Sequence, residues 1–107
     1  MSGYVYLWEF IVAREHVREF EQAYGDDGEW VKLFRRAPGY LRTDLIRDPD
    51  HPNRYLTIDC WESEHAYQAF RSQFANEFAT LDATCAAWTT SEKEIWKSQS
   101  TSQGRRS

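Results

Sequence analysis

The feature that most constrains this chain is a run near its start, Tyr4 to Ala13 (YVYLWEFIVA), which is apolar on both sides when read alternately. β-branched and aromatic residues suit extended backbone, so the run reads as a strand. One face carries Tyr4, Tyr6, Trp8, Phe10 and Val12; the other carries Val5, Leu7, Glu9 and Ile11, with Glu9 its only polar side chain. A strand that is apolar on both faces belongs inside its sheet, with something packed on each side.

From Arg14 the period changes. Ala13, Val17, Phe20 and Tyr24 recur at helical spacing, and Gly25-Asp26-Asp27-Gly28 interrupts the pattern. Trp30, Leu33, Phe34 and Ala37 form a second helical stripe, which Pro38-Gly39 stops. Tyr40 to Asp48 and Arg54 to Trp61 read as two strands joined by a turn of Pro49-Asp50-His51-Pro52-Asn53. Ser63 is a suitable N-cap for a helical stretch running to about Trp88, with loose spacing, and hence a break, near Asn76. Thr89 to Lys97 is a final, polar, edge-like strand.

The order β-α-β-β-α-β predicts an α+β, ferredoxin-like antiparallel sheet with its helices on one face. One domain is expected over residues 1–97, followed by a disordered polar tail over 98–107. Helices on one face leave the second apolar face of the first strand uncovered. The third strand has the same difficulty, with Leu56, Ile58 and Cys60 on one side and Tyr55, Thr57 and Trp61 on the other. Stacking such a face on its copy by two-fold symmetry gives a homodimer, a dimeric α+β barrel.

Composition narrows the function. The 107 residues carry a net charge of −4 with signs interspersed, and the only adjacent basic pairs are Arg35-Arg36 and Arg105-Arg106, so nucleic acid is not an expected partner. No apolar run suits a bilayer and the start has no leader pattern, so the chain reads as soluble and cytoplasmic, with Cys60 and Cys85 as reduced thiols. No short ligand spacing, phosphate loop or redox dithiol suggests a metal or a cofactor. Aromatic residues make up 16% of the chain, enough to fill a core or to line an apolar ligand pocket.

Three landmarks carry a resemblance: Glu9-Phe10-Ile11-Val12 at the end of the first strand, Pro38-Gly39-Tyr40 before the second, and Trp61-Glu62-Ser63 at the start of the late helix. With their surroundings, roughly Tyr4 to Trp96, they resemble the antibiotic biosynthesis monooxygenase superfamily of dimeric α+β barrels. That resemblance implies a small apolar cavity between helices and sheet. In one branch a phenolate or enolate there gives an electron directly to oxygen, without a cofactor. A second branch degrades haem, using a histidine late in the second helix and an asparagine on the first strand; here no histidine follows His65, and Phe10 stands where the asparagine would be. Other members have an assigned fold and no known chemistry.

The candidate residues follow from both arguments. Trp61 is either a pocket wall with an indole N–H to offer or a core ring pinning helix to sheet. Tyr67, Phe70 and Phe74 lie on a helical stripe expected to face Trp8 and Phe10, as core or as lining. His65, in the first turn of its helix, is kept neutral there by the helix dipole and is a candidate base or a solvated side chain. Glu9 and Asp59 stand among apolar strand residues, and Arg42 or Arg47 could pair with them; Glu9 is the second candidate base. The leading expectation is a cofactor-independent monooxygenase-like protein acting on a small aromatic phenol or quinol. A non-catalytic dimeric barrel that binds a ligand or partner is the alternative, and haem degradation ranks third.

Overall fold

The computed structural model describes residues 3–99. Four strands form one antiparallel sheet in the order β2-β3-β1-β4, with β1 Tyr4–Val12, β2 Tyr40–Arg47, β3 Arg54–Trp61 and β4 Thr89–Gln99. Between β1 and β2 lie a 3-10 turn, Arg14–His16, and two short helices, α1 Val17–Tyr24 and α2 Glu29–Phe34. Between β3 and β4 lie α3 Glu64–Gln73 and α4 Ala75–Ala86. This is the ferredoxin-like α+β arrangement the order of elements predicts. β4 runs on to Gln99, two residues past the expected Lys97, so Ser98 and Gln99 belong to the strand; the rest of the expected tail lies outside the described residues.

The alternation on β1 settles which face carries the core. Tyr4, Tyr6, Phe10 and Val12 are buried beneath the helices, with Trp8 partly exposed between them. On β3 the matching face is Tyr55, Thr57, Asp59 and Trp61, so these look inward. Phe20 stacks on Tyr24 at 4.1 Å between centroids and meets Phe10 and Tyr55; Trp61 meets Phe34, Tyr67 and Phe70 within 5.6 Å. Edge and tilted contacts at these distances let large rings fill the space between helices and sheet.

Local chemistry places the joints. At Gly28, a Cβ would lie 2.3–2.4 Å from the carbonyl oxygens of Gln22 and Ala23, so only glycine lets α2 start this close to the end of α1. Gly39 has φ +90°, and a Cβ there would meet the Ala66 Cβ at 2.6 Å; the turn into β2 is thereby held hard against α3. Ser63 is extended and its Oγ accepts from the Ala66 N–H at 3.0 Å, the predicted N-cap. The long helical stretch breaks at Phe74 (φ −112°, ψ 31°), two residues before the loose spacing at Asn76, because Phe74 turns inward to pack on Phe70.

The opposite face of the sheet has no helix. Val5, Leu7 and Ile11 of β1 and Leu56 and Ile58 of β3 are only partly buried there. Ile46, opposite Leu56, is 45% exposed, and Trp96, opposite Leu7, is 61% exposed. Glu9 lies on this face with its Oε2 2.6 Å from Arg54, which also reaches Asp48 at 2.9 Å. The partner of Glu9 is thus Arg54, its neighbour across the β1–β3 pair, and not Arg42 or Arg47. Cys60 belongs to the same outer face and Cys85 to the helix layer; both are free, and burial pushes both thiols up.

Candidate active site

Between sheet and helices lies a cavity of about 280 Å³. Most of its wall is aromatic. β1 supplies Tyr6, Trp8 and Phe10, α1 and α2 supply Tyr24, Trp30 and Phe34, and α3 and α4 supply Tyr67 and Phe78. Their positions follow from the alternation on β1 and from helical stripes that aim rings at the sheet. Trp30 and Phe78 meet edge to face at 5.1 Å, and Tyr6 and Tyr67 at 5.3 Å. Cavities near 300 Å³ are at the small end of ligand pockets, the size for one or two fused aromatic rings.

Polar groups enter at two places. On the sheet, Thr43, Thr57 and Asp59 line the cavity from neighbouring strands, Thr43 standing directly across from Asp59. Asp59 makes no salt bridge among the described residues; Arg42, an expected partner, turns outward to Asp44 at 3.3 Å. Thr43 Oγ1 donates to Asp59 Oδ1 at 2.8 Å, and Tyr40 Oη donates to Thr43 Oγ1 at 2.9 Å. Burial in the aromatic cavity raises the Asp59 carboxyl from its ordinary 3.8 to about 6, against the smaller opposing pull of the Thr43 hydroxyl. On the helix side, Arg71 Nη1 donates to Tyr67 Oη at 3.2 Å and its guanidinium lies 3.9 Å over the Phe78 ring. Asp82 of α4 joins that rim, and Glu92 lines the cavity from β4. Tyr6 Oη donates to Glu94 at 3.1 Å, and burial raises the Tyr6 and Tyr67 phenols, which stay protonated.

The residues singled out in the sequence divide into three groups. Trp8, Phe10 and Tyr67 are on the cavity wall. Trp61, Phe70 and Phe74 are buried behind it as core, and the Trp61 Nε1, expected to bond a ligand, is enclosed with no hydrogen-bond partner among the described residues. His65 is exposed on the first turn of α3, and Glu9 is on the far side of the sheet, so neither expected base reaches the cavity. Asp59 is the strand carboxylate that lines it. Its parity with Thr57 and Trp61 would have placed it on their face, but two apolar faces on β1 left the inward side of β3 open. Arg71 was legible as the residue one turn after Tyr67.

The family model for antibiotic biosynthesis monooxygenase matches residues 4–74. The chain belongs to this family. No curated protein matches it in sequence. Among solved structures it is similar to a variant of SnoaB, a cofactor-independent oxygenase from Streptomyces nogalater, at 22% identity and TM-score 0.74 over 98% of this chain and 95% of that one. The unsubstituted SnoaB structure matches at 20% identity and TM-score 0.68, covering 100% and 97%. PA3566 from Pseudomonas aeruginosa matches at 18% identity and TM-score 0.64, over 92% of each chain. At these identities the likeness is one of fold. No helix among the described residues is long and apolar enough to cross a membrane.

Proposed function

We propose that this family member is a cytoplasmic homodimer and a cofactor-independent monooxygenase acting on a small phenol or quinol, with Asp59 as the base. The observation that carries the reading is a carboxyl raised to about 6 that lines a cavity walled mostly by aromatic rings, and it is the one of the three lining carboxylates that burial raises. A base about two units stronger than an ordinary carboxylate, yet still ionised at neutral pH, suits removal of a weakly acidic proton. The likeness to a cofactor-independent oxygenase adds support. Dimerisation is supported by the uncovered sheet face that holds Leu7, Ile58, Ile46 and Trp96.

In this mechanism the substrate ring lies between Trp8 and Phe10 on one side and Trp30 and Phe78 on the other. Asp59 takes the hydroxyl proton, and the cavity excludes the water that would stabilise the anion and slow its oxidation. The anion passes one electron to dioxygen, giving a ring radical and superoxide. Their recombination forms a carbon–oxygen bond, and the resulting hydroperoxide loses water to leave a carbonyl. A ring methylene of the keto tautomer thus becomes C=O, one oxygen atom leaves as water, and the substrate supplies all four electrons. Arg71 and Tyr67 hold the far edge of the ring.

The test is oxygen uptake with a panel of phenols and quinols, comparing the unaltered protein with Asp59→Asn and His65→Ala. Uptake should yield quinone mole for mole and fall about a hundredfold or more in Asp59→Asn. Loss in His65→Ala instead would return the base to the helix. Tight binding of quinols without uptake would favour the ligand-binding barrel, and no binding at all would end both readings.

A further inference from the structure

We propose that Thr43, backed by Tyr40, is the positioning residue that fixes which oxygen of Asp59 accepts a proton. This rests on Asp59 being the base. Thr43 has one hydroxyl hydrogen, and it is spent on Asp59 Oδ1 at 2.8 Å. Thr43 Oγ1 must therefore be an acceptor towards Tyr40, whose phenol reaches it at 2.9 Å. The chain has one direction, Tyr40 to Thr43 to Asp59. A proton arriving on Oδ1 would weaken the bond that Thr43 donates there or turn the chain round, whereas Oδ2 accepts no side-chain hydrogen bond among the described residues. Oδ2 is left as the proton acceptor, and a bond donated to the carboxylate favours its charged form.

Among the described residues no other side chain donates a hydrogen bond to Asp59. Tyr6, Tyr24, Tyr67, Arg71, Asp82 and Glu92 also line the cavity from β1, α1, α3, α4 and β4, and α2 presents only Trp30 and Phe34. Arg71 is the one cation among them, and its contacts are with Tyr67 and Phe78. The chain is stiff because β2 and β3 hold Thr43 opposite Asp59, while the Tyr40 ring is wedged between Phe34 at 5.4 Å and Trp61 at 5.3 Å. It is thus built from backbone register and core packing, both of which form without a ligand.

The experiment is a ¹³C NMR titration of the Asp59 carboxyl in the ligand-free full chain, assigned with Asp59→Asn. The unaltered protein should titrate near 6. Thr43→Val, nearly isosteric, should move the midpoint up by about one pH unit. Tyr40→Phe should move it less in the same direction, and Thr43→Ser should restore it. Where a phenol is turned over, Thr43→Val should lower kcat and leave KM unchanged. An unmoved midpoint in a folded Thr43→Val protein, or no recovery in Thr43→Ser, overturns the proposal. That outcome leaves the oxygenase reading standing; full oxygen uptake in Asp59→Asn would remove that reading and leave the titration as it is.

Discussion

Replacing Asp59 with asparagine keeps the shape of the side chain and an acceptor for Thr43, and removes only the ionisation. In the folded chain this carboxyl titrates near 6, against 3.8 when unburied. Its folded value is raised, so its contribution to stability is fully present below about pH 3.8 and is lost as pH rises through about 6. The complete span is worth up to about 3 kcal/mol, and the portion between pH 5 and pH 7 about 1.3 kcal/mol. Urea unfolding at these two pH values, at one fixed protein concentration because the stability of the proposed dimer would depend on it, gives the difference directly. The unaltered chain should gain about 1.3 kcal/mol more than Asp59→Asn on going from pH 7 to pH 5. Equal gains in the two proteins would show that the cavity does not desolvate Asp59, and the argument for a strengthened base would fail with it.

Other perturbations test the frame around the site. Trp96→Ser removes a ring that is 61% exposed, about 120 Å² of apolar surface and about 3 kcal/mol for each subunit that buries it, so micromolar solutions should shift from dimer to monomer in sedimentation; an unchanged mass would remove Trp96 from the interface. Trp61→Ala empties a fully buried position and should cost about 4 kcal/mol in urea unfolding, where a loss under 1 kcal/mol would contradict its place as the anchor of α3. Ser63→Ala should cost about 1 kcal/mol through the lost cap, and Ser63→Asp should recover it.

The fold was legible because its signals are local and agree with one another. Strand alternation, the glycine pair before Trp30, the Pro38-Gly39 turn and the Ser63 cap each act within a few residues; all stand where they were read, except that α2 ends at Phe34, before the Pro38-Gly39 stop is reached. The site was less legible for a definite reason. A strand with one polar face declares its inward side, but β1 and β3 are apolar on both, so parity grouped Asp59 with Trp61 without saying that the group faces the helices. Ion pairing was the other gap. Glu9 and Asp59 looked alike as carboxylates among apolar neighbours, yet Arg54 reaches one from the adjoining strand and the Thr43 hydroxyl reaches the other. The break in the long helix was signalled by the loose spacing near Asn76, and only its place, two residues earlier at Phe74 where the ring packs on Phe70, was not.

That break divides the labour of the cavity wall. Tyr67 and Arg71 hang from the helix pinned by Gly39 and Ala66, whereas Phe78 and Asp82 hang from the next one, beyond the elbow. Tilting the second helix would resize the cavity while the hydroxyl-bearing strands stayed still. A lineage could therefore change the shape of the cavity by altering one hinge, leaving Asp59 and Thr43 where they are.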